Sequence, residues 1–358
     1  MKNPNPNHTL FRFLFTCLFF FSAASLYSQE AGSCAEKLKS AQSLFGKGQV
    51  EQIPSLLKVC LNSGGFIKEE ELTAYKLLIQ TYLLNDKIEQ ADSTMFEFLK
   101  KNPEYVLSPT DHSSFVYLFN NFKVKPVVQI GIHAGINVPF LTFVTTNLTS
   151  GEGKISDSKF TSNIGNLFFS AESKFKVTDK LEVGFEVGYS QMKFTNKITD
   201  NNEHAVINYT ESQQQIELPV YALYDITSFG NKKFTVYGRA GIGGAYTLGV
   251  TGTATYSPTD PTNKNSRTGE SLNRKDSRIA IDFFGQIGAG VKYKIPRGFL
   301  FGELRSNFGM LEQNVSGGLT IPQGDWFYIW RDPNFRLNAF NINIGYTYIF
   351  YKPSKRKE

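Results

Sequence analysis

The run FRLNAFNINIGYTYIFY, Phe335–Tyr351, alternates along most of its length. Phe340, Ile342, Ile344, Tyr346, Tyr348 and Phe350 fall on one side, and Asn341, Asn343, Gly345 and Thr347 on the other. A strand sends successive side chains to opposite faces. One face is therefore apolar and ends in aromatics, while the other is small and polar. In a soluble sandwich the apolar face would meet a second sheet. In a membrane barrel it would meet lipid, and the polar face would line a lumen.

Working back from this run, seven more strand candidates lie near 127–140, 165–177, 180–195, 206–226, 233–256, 277–295 and 299–314. Their connections alternate in length. Thr178-Asp179, Ser228–Lys232 and Pro296-Arg297-Gly298 are short. The segments 141–164, 196–205, 257–276 and 315–334 are long and rich in Asn, Ser, Thr, Gly and Pro. Short turns on one side and long loops on the other are expected of a barrel in the outer membrane, with the short turns in the periplasm. A soluble sandwich gives no reason for this alternation.

The alternation assigns faces. Ile130, Ile132, Val183, Phe185, Val187, Ile281, Phe283 and Ile287 point to lipid. Gln129, His133, Asn137, Glu182, Glu186, Asp282 and Gln286 point inward. The inward charges Glu172, Glu182, Glu186, Arg239, Asp282, Glu303 and Arg305 are expected to form a paired network. An eight-stranded barrel has room only for side chains, and unpaired buried charge is costly. Such a network plugs the lumen; the alternative is a narrow polar conduit or ligand pocket.

The start of the chain reads as an export signal. Lys2 and Arg12 precede the apolar run Phe13–Phe21 and the small residues Ser22-Ala23-Ala24-Ser25. This pattern predicts a signal peptide over 1–28, too short for a stable membrane span. Its removal takes Lys2 and Arg12, lowering the net charge from +6 to +4. A balance that mild and dispersed does not suit nucleic acid. Two cysteines remain, Cys34 and Cys60, at opposite ends of a predicted helix pair. Oxidising conditions and an even count favour a disulfide between them.

Residues 29–125 follow a helical rather than an alternating pattern, as in Leu72, Tyr75, Leu78, Ile79 and Tyr82. Helices are expected near 34–45, 49–62, 68–84 and 87–101, with a shorter one at 111–122. The domain reading is a signal peptide (1–28), a periplasmic helical domain (29–125), an outer-membrane barrel (126–352) and a basic, solvated tail (353–358).

Two resemblances follow from these residues. The stretch AYKLLIQTYLLNDKIEQADSTMFEFLKKNPEY, Ala74–Tyr105, resembles a tetratricopeptide (TPR) repeat through Tyr75, Leu78, Tyr82, Ala91, Met95, Phe98 and Pro103. Ile79 departs from the small residue usual there, and only about two repeats are covered. The region 127–351 resembles the outer-membrane barrels of Bacteroidota called PorT-like, built on the OmpA-type eight-stranded design. Gly345, Tyr348 and Phe350 match the terminal signal read by the barrel-assembly machinery, although Lys352–Glu358 extends past it.

The expected fold is thus α plus transmembrane β: a TPR-like helical region, then an eight-stranded antiparallel up-and-down barrel. The expected function is non-enzymatic. The barrel anchors a periplasmic interaction module in outer-membrane lipid, and the resemblance implies an envelope secretion or motility assembly as partner. The alternatives are solute binding or transport through the barrel, and a lipid-modifying enzyme. His133 faces the lumen without a nucleophile motif, and His204 stands alone in a loop. The cysteines and histidines lack metal-ligand spacing, so no catalytic residue, metal or cofactor is expected. The glycine-rich GRAGIGGAY (238–246) lacks the Lys-Ser/Thr of a phosphate loop and sits inside a strand pattern. Trp326, Tyr328 and Trp330, in the last long loop, suit either recognition or the membrane interface.

Overall fold

The computed structural model describes residues 31–145, 155–200, 205–259, 265–315 and 334–356. The signal segment, His204 and Trp326, Tyr328 and Trp330 lie outside them. The chain divides into two compact units, one of residues up to Lys125 together with Lys352–Glu358, the other Pro126–Tyr351.

Among the described residues the first unit holds five α-helices: α1 (Ala31–Gly46), α2 (Ile53–Ser63), α3 (Lys68–Leu84), α4 (Ile88–Lys101) and α5 (Ser113–Asn120). Their ends carry recognisable signals. Pro54 opens α2, where its missing N–H costs nothing. Gly64 closes α2 in the left-handed region, φ 72°, which a side chain would strain. Glu69, Glu70 and Glu71 sit in the first turn of α3, opposite the positive end of its dipole. The Glu70 carboxylate reaches back to the Ile67 N–H at 3.3 Å. Tyr75, Leu78, Tyr82, Ala91, Met95 and Phe98 are all buried in one core with Ile53, Leu57, Phe115 and Phe122. Phe98 meets Tyr75, Tyr105 and Phe115 edge-on, the geometry that ring quadrupoles favour.

Cys34 and Cys60 are disulfide-bonded, with Cα atoms 5.8 Å apart. Gly65 follows closely: a Cβ there would lie 2.7 Å from the Cys34 sulfur.

Asp111 ties the end of this unit together. It accepts from Lys76 Nζ at 2.6 Å, from the Tyr105 hydroxyl at 2.6 Å and from the Ser108 N–H at 2.8 Å. Burial pushes its carboxyl up, but the bonds from Lys76, Tyr105 and Ser108 outweigh this and hold it below the usual value. A depressed carboxyl contributes stability above its unfolded pKa and loses it as pH falls through the folded one. Asp111→Asn is therefore expected to cost about 1–2 kcal/mol at neutral pH. The penalty should shrink below about pH 4, as followed by helical circular dichroism during urea unfolding.

The second unit is a sheet of eleven strands: β1 (Phe122–Thr145), β2 (Ile155–Ser162), β3 (Asn166–Lys176), β4 (Leu181–Asp200), β5 (Ala205–Phe229), β6 (Phe234–Pro258), β7 (Arg267–Thr268), β8 (Leu272–Asn273), β9 (Ile281–Ile295), β10 (Gly298–Gly309) and β11 (Asn334–Lys355). Eight of them close a ring in the order β1-β3-β4-β5-β6-β9-β10-β11 and back to β1. Short β2 adds to β4, and β7 and β8 add to β6. This is an antiparallel up-and-down barrel, as the alternating runs predict. Closure removes the free edges that an open sheet would expose. Among the described residues no helix is long and apolar enough to cross a membrane.

Two expectations need correction. The tail beyond Tyr351 keeps Lys352, Lys355 and Arg356 exposed, but it is not a separate stub. β11 continues to Lys355; Lys355 Nζ lies 2.5 Å from Asp92, and the Arg356 N–H donates to the Asn121 carbonyl at 2.7 Å. Backbone pairing and an ion pair recruit residues that composition alone marks as solvent-bound. The fifth helix is also shorter than 111–122, because Phe122 already opens β1.

Candidate functional site: the filled lumen

Along the described barrel wall strand phase sets most inward positions, with a shift at the β5–β6 bulge near Gln214 and Gln215. Ile130, Ile132, Phe185, Ile281, Phe283, Ile287 and Ile344 are exposed outside; Gln129, His133, Asn137, Glu186, Gln286 and Asn343 are buried inside. At Gly241 an added Cβ would stand 2.6 Å from the Val220 carbonyl oxygen, so the glycine lets β5 and β6 approach closely.

The inward side chains form an ion-pair column. Nearest the short turns, Lys292 Nζ bridges Glu182 at 2.8 Å and Asp225 at 3.1 Å, and Gln129 donates to Glu182 at 3.0 Å. In mid-barrel Lys174 contacts Glu172 at 2.5 Å, and the Tyr221 hydroxyl donates to the other Glu172 oxygen. The centre is Glu186. It lies 2.6 Å from Arg239 Nη2 and 3.0 Å from Arg305 Nη1. Arg239 also approaches Glu303 at 3.5 Å and Glu172 at 3.8 Å, and its guanidinium stacks 3.5 Å from the Tyr221 ring centre. Glu172, Glu186 and Glu303 thus face Lys174, Arg239 and Arg305. Three anions against three cations leave no uncompensated charge in this group. Further along, Glu217 accepts from Asn307 at 3.1 Å, and Arg278 grips Glu211 at 2.9 and 2.5 Å.

The residues singled out in the sequence divide accordingly. Glu172, Glu186, Arg239, Glu303 and Arg305 come together, and Glu182 joins Lys292 in a neighbouring group. Asp282 points inward but stands apart from the network. Its donors are the Phe283 and Leu311 N–H groups and the Gln313 side chain. These amides satisfy the carboxylate without a cation. Sequence reasoning missed Glu211, Glu217 and Arg278. Around Thr210, Ser212 and Gln214 the outward face of β5 is itself polar, so alternation carries no contrast there. Gly345 packs inward beside His133, while Phe350 is exposed and Tyr348 partly so.

His133 has a nucleophile-type neighbour after all: Ser170 Oγ is 2.5 Å from Nε2. Glu186 approaches the same nitrogen at 3.4 Å, and among the described residues Nδ1 has no hydrogen-bond partner. A triad-type relay places hydroxyl and carboxylate on opposite ring nitrogens; here Ser170 and Glu186 both approach Nε2. His133, Glu172 and Glu186 also place potential ligand atoms within 4.8 Å of one another. Their carboxylate oxygens already accept from Arg239, Arg305, Lys174 and Tyr221, and these cations would repel a metal ion.

A closed antiparallel barrel, apolar outside and filled with paired polar groups inside, is a membrane-spanning β-barrel. Residues 125–311 match the family described as outer membrane protein beta-barrel domain, and the chain belongs to it. It is therefore an outer-membrane protein. The attachment invasion locus protein Ail of Yersinia pestis is 10% identical over 62% of this chain and 99% of its own, with a TM-score of 0.26. Neisserial surface protein A gives 10% identity over 62% and 97%, with a TM-score of 0.27. A major outer membrane protein from Thermus thermophilus gives 14% over 63% and 100%, with a TM-score of 0.30. No curated protein matches the chain.

Proposed function

We propose that the barrel is a closed, non-enzymatic anchor and that the helical unit is a protein-interaction module held in the periplasm. The observation that carries this reading is a groove of about 560 Å³ in the helical unit, lined by Leu83, Ile88, Asp92, Tyr117, Leu118, Asn121, Lys355 and Arg356. The unit already has a complete core, yet Leu84, Ile88 and Tyr117 stay exposed, at 63%, 49% and 71%. Apolar and aromatic side chains beside a polar rim are the composition of a protein-binding patch. The TPR-like spacing supports the same use, since such repeats present protein-binding surfaces. The paired lumen supports an anchor over a transporter. The partner is an envelope protein, and the PorT-like resemblance suggests a secretion or motility assembly.

Crosslinking in intact envelopes tests this directly. The wild-type chain is expected to capture a discrete partner, and Ile88→Asp with Tyr117→Ser to lose it while the barrel still inserts. An unchanged set of crosslinked proteins would remove the groove from the account.

A further inference from the structure

We infer that the lipid-facing wall of the barrel carries a seat for one acyl chain of a glycerophospholipid, sunk at Gly302 on β10. Gly302 shares the outward phase of Leu300 and Leu304. Register places it between Val291 of β9 and Ile344 of β11. It therefore has an apolar side chain on every side and none of its own. A Cβ built there would meet no neighbouring heavy atom within 4 Å. Gly238 and Gly285 also take outward positions, on β6 and β9. An added Cβ at those two would lie 3.8 Å from Ile226 and 3.6 Å from Met310. A neighbouring side chain already reaches over each of them; at Gly302 the gap stays open.

Around this gap the wall forms a groove of about 820 Å³, a size that suits a ligand. Ile132 and Phe169 carry it across β1 and β3, and inward-phase residues such as Phe301 and Gly345 complete the lining. Ile132, Phe169, Val291, Leu300 and Ile344 are all exposed.

The place of the groove decides its occupant. It lies on the outward face of an outer-membrane barrel, where the surrounding medium is hydrocarbon. A void beside a wall forfeits the dispersion contacts of its lining. The wall cannot collapse to close it, because β10 is paired along its length with both β9 and β11. A flexible acyl chain is the part of a bilayer that can follow such a depression. On a flat stretch of wall it gains contacts from one side; at Gly302 it gains them from the floor and both flanks.

Two tyrosines show which end faces the headgroups. Tyr293 and Tyr346 flank Leu300, one rung nearer the short turns than Gly302. Tyrosine rings gather at the membrane interface, at headgroup level. The glycerol end of the lipid thus lies by Tyr293 and Tyr346, and its methylenes run over Gly302. The lipid belongs to the leaflet on the short-turn side.

The test uses full-length protein in nanodiscs of phosphatidylethanolamine carrying a diazirine on one acyl chain. After illumination, the labelled residues are mapped by mass spectrometry. Label should concentrate around Val291, Leu300 and Ile344. Gly302→Leu fills the gap, and the open space around its Cβ lets the barrel fold, as its compact electrophoretic mobility should confirm. Labelling at the groove should fall about fivefold, the worth of roughly ten lost carbon contacts. Gly238→Leu, outside the groove, should leave it unchanged. Labelling spread evenly around the wall, or a groove signal that Gly302→Leu does not lower, overturns the proposal. A second copy of the chain seated on the groove, seen as a dimer that Gly302→Leu disperses in native mass spectrometry, overturns it also.

Discussion

Glu186→Gln is expected to destabilise the barrel by about 3–5 kcal/mol, because it leaves one buried positive charge uncompensated between Arg239 and Arg305. Glu186 stands between Arg239 and Arg305 at 2.6 and 3.0 Å, with each side chain essentially sealed from solvent. The amide keeps the shape and removes the charge, so the loss measures electrostatics rather than packing. Adding Arg305→Met should recover much of the stability, since the group again balances. Urea unfolding in detergent micelles reads both variants as a double-mutant cycle. The same network has a transport consequence. The wild-type barrel should show little steady conductance in a planar bilayer, because paired side chains fill an interior that eight strands leave narrow. Large, stable single-channel currents from the unmodified chain would replace the plug by a conduit.

The second large effect concerns the helical unit. Reduction, or Cys34→Ser with Cys60→Ser, is expected to lower its stability by about 3–4 kcal/mol. The bond joins residues 26 positions apart, and chain-entropy reasoning gives that size for a loop of this length. Helical ellipticity should melt earlier in reductant, while the folded barrel keeps its compact electrophoretic mobility. An unchanged helical transition would show that the interior of α1–α4 suffices without the bond.

Much of this fold was legible because two periodicities do not overlap. A repeat near two residues set the barrel strands, and a repeat near four set the helices. The phase of Glu172, Glu186, Arg239, Glu303 and Arg305 followed from apolar neighbours such as Val183, Phe185 and Ile287. Partners were harder to read, because phase fixes the side of the wall and leaves height along the lumen undecided. Asp282 shares the inward phase but sits where backbone and Gln313 amides reach it first. Ser170 was invisible for a related reason: its closeness to His133 comes from the β1–β3 register, which pairs the two residues across strands far apart in sequence. Trp326, Tyr328 and Trp330, read as outer-loop residues, fall outside the described residues.

The make-up of the helical unit bears on the order of assembly. Its chain is discontinuous: Lys352–Arg356 belongs with residues that precede Lys125, and the whole barrel sequence lies between. During synthesis the ribosome delivers the helices first and their last piece only after the whole barrel sequence. Bringing two segments together across more than 200 residues of loose chain carries a large loop-closure cost. The barrel removes that cost when β11 takes its place beside β1, because the ends of those two strands are the segments that must meet. The last strand to join the ring thus also delivers the final contacts of the helical unit, the Lys355–Asp92 pair and the Arg356 bond to the Asn121 carbonyl, onto a core that is already complete.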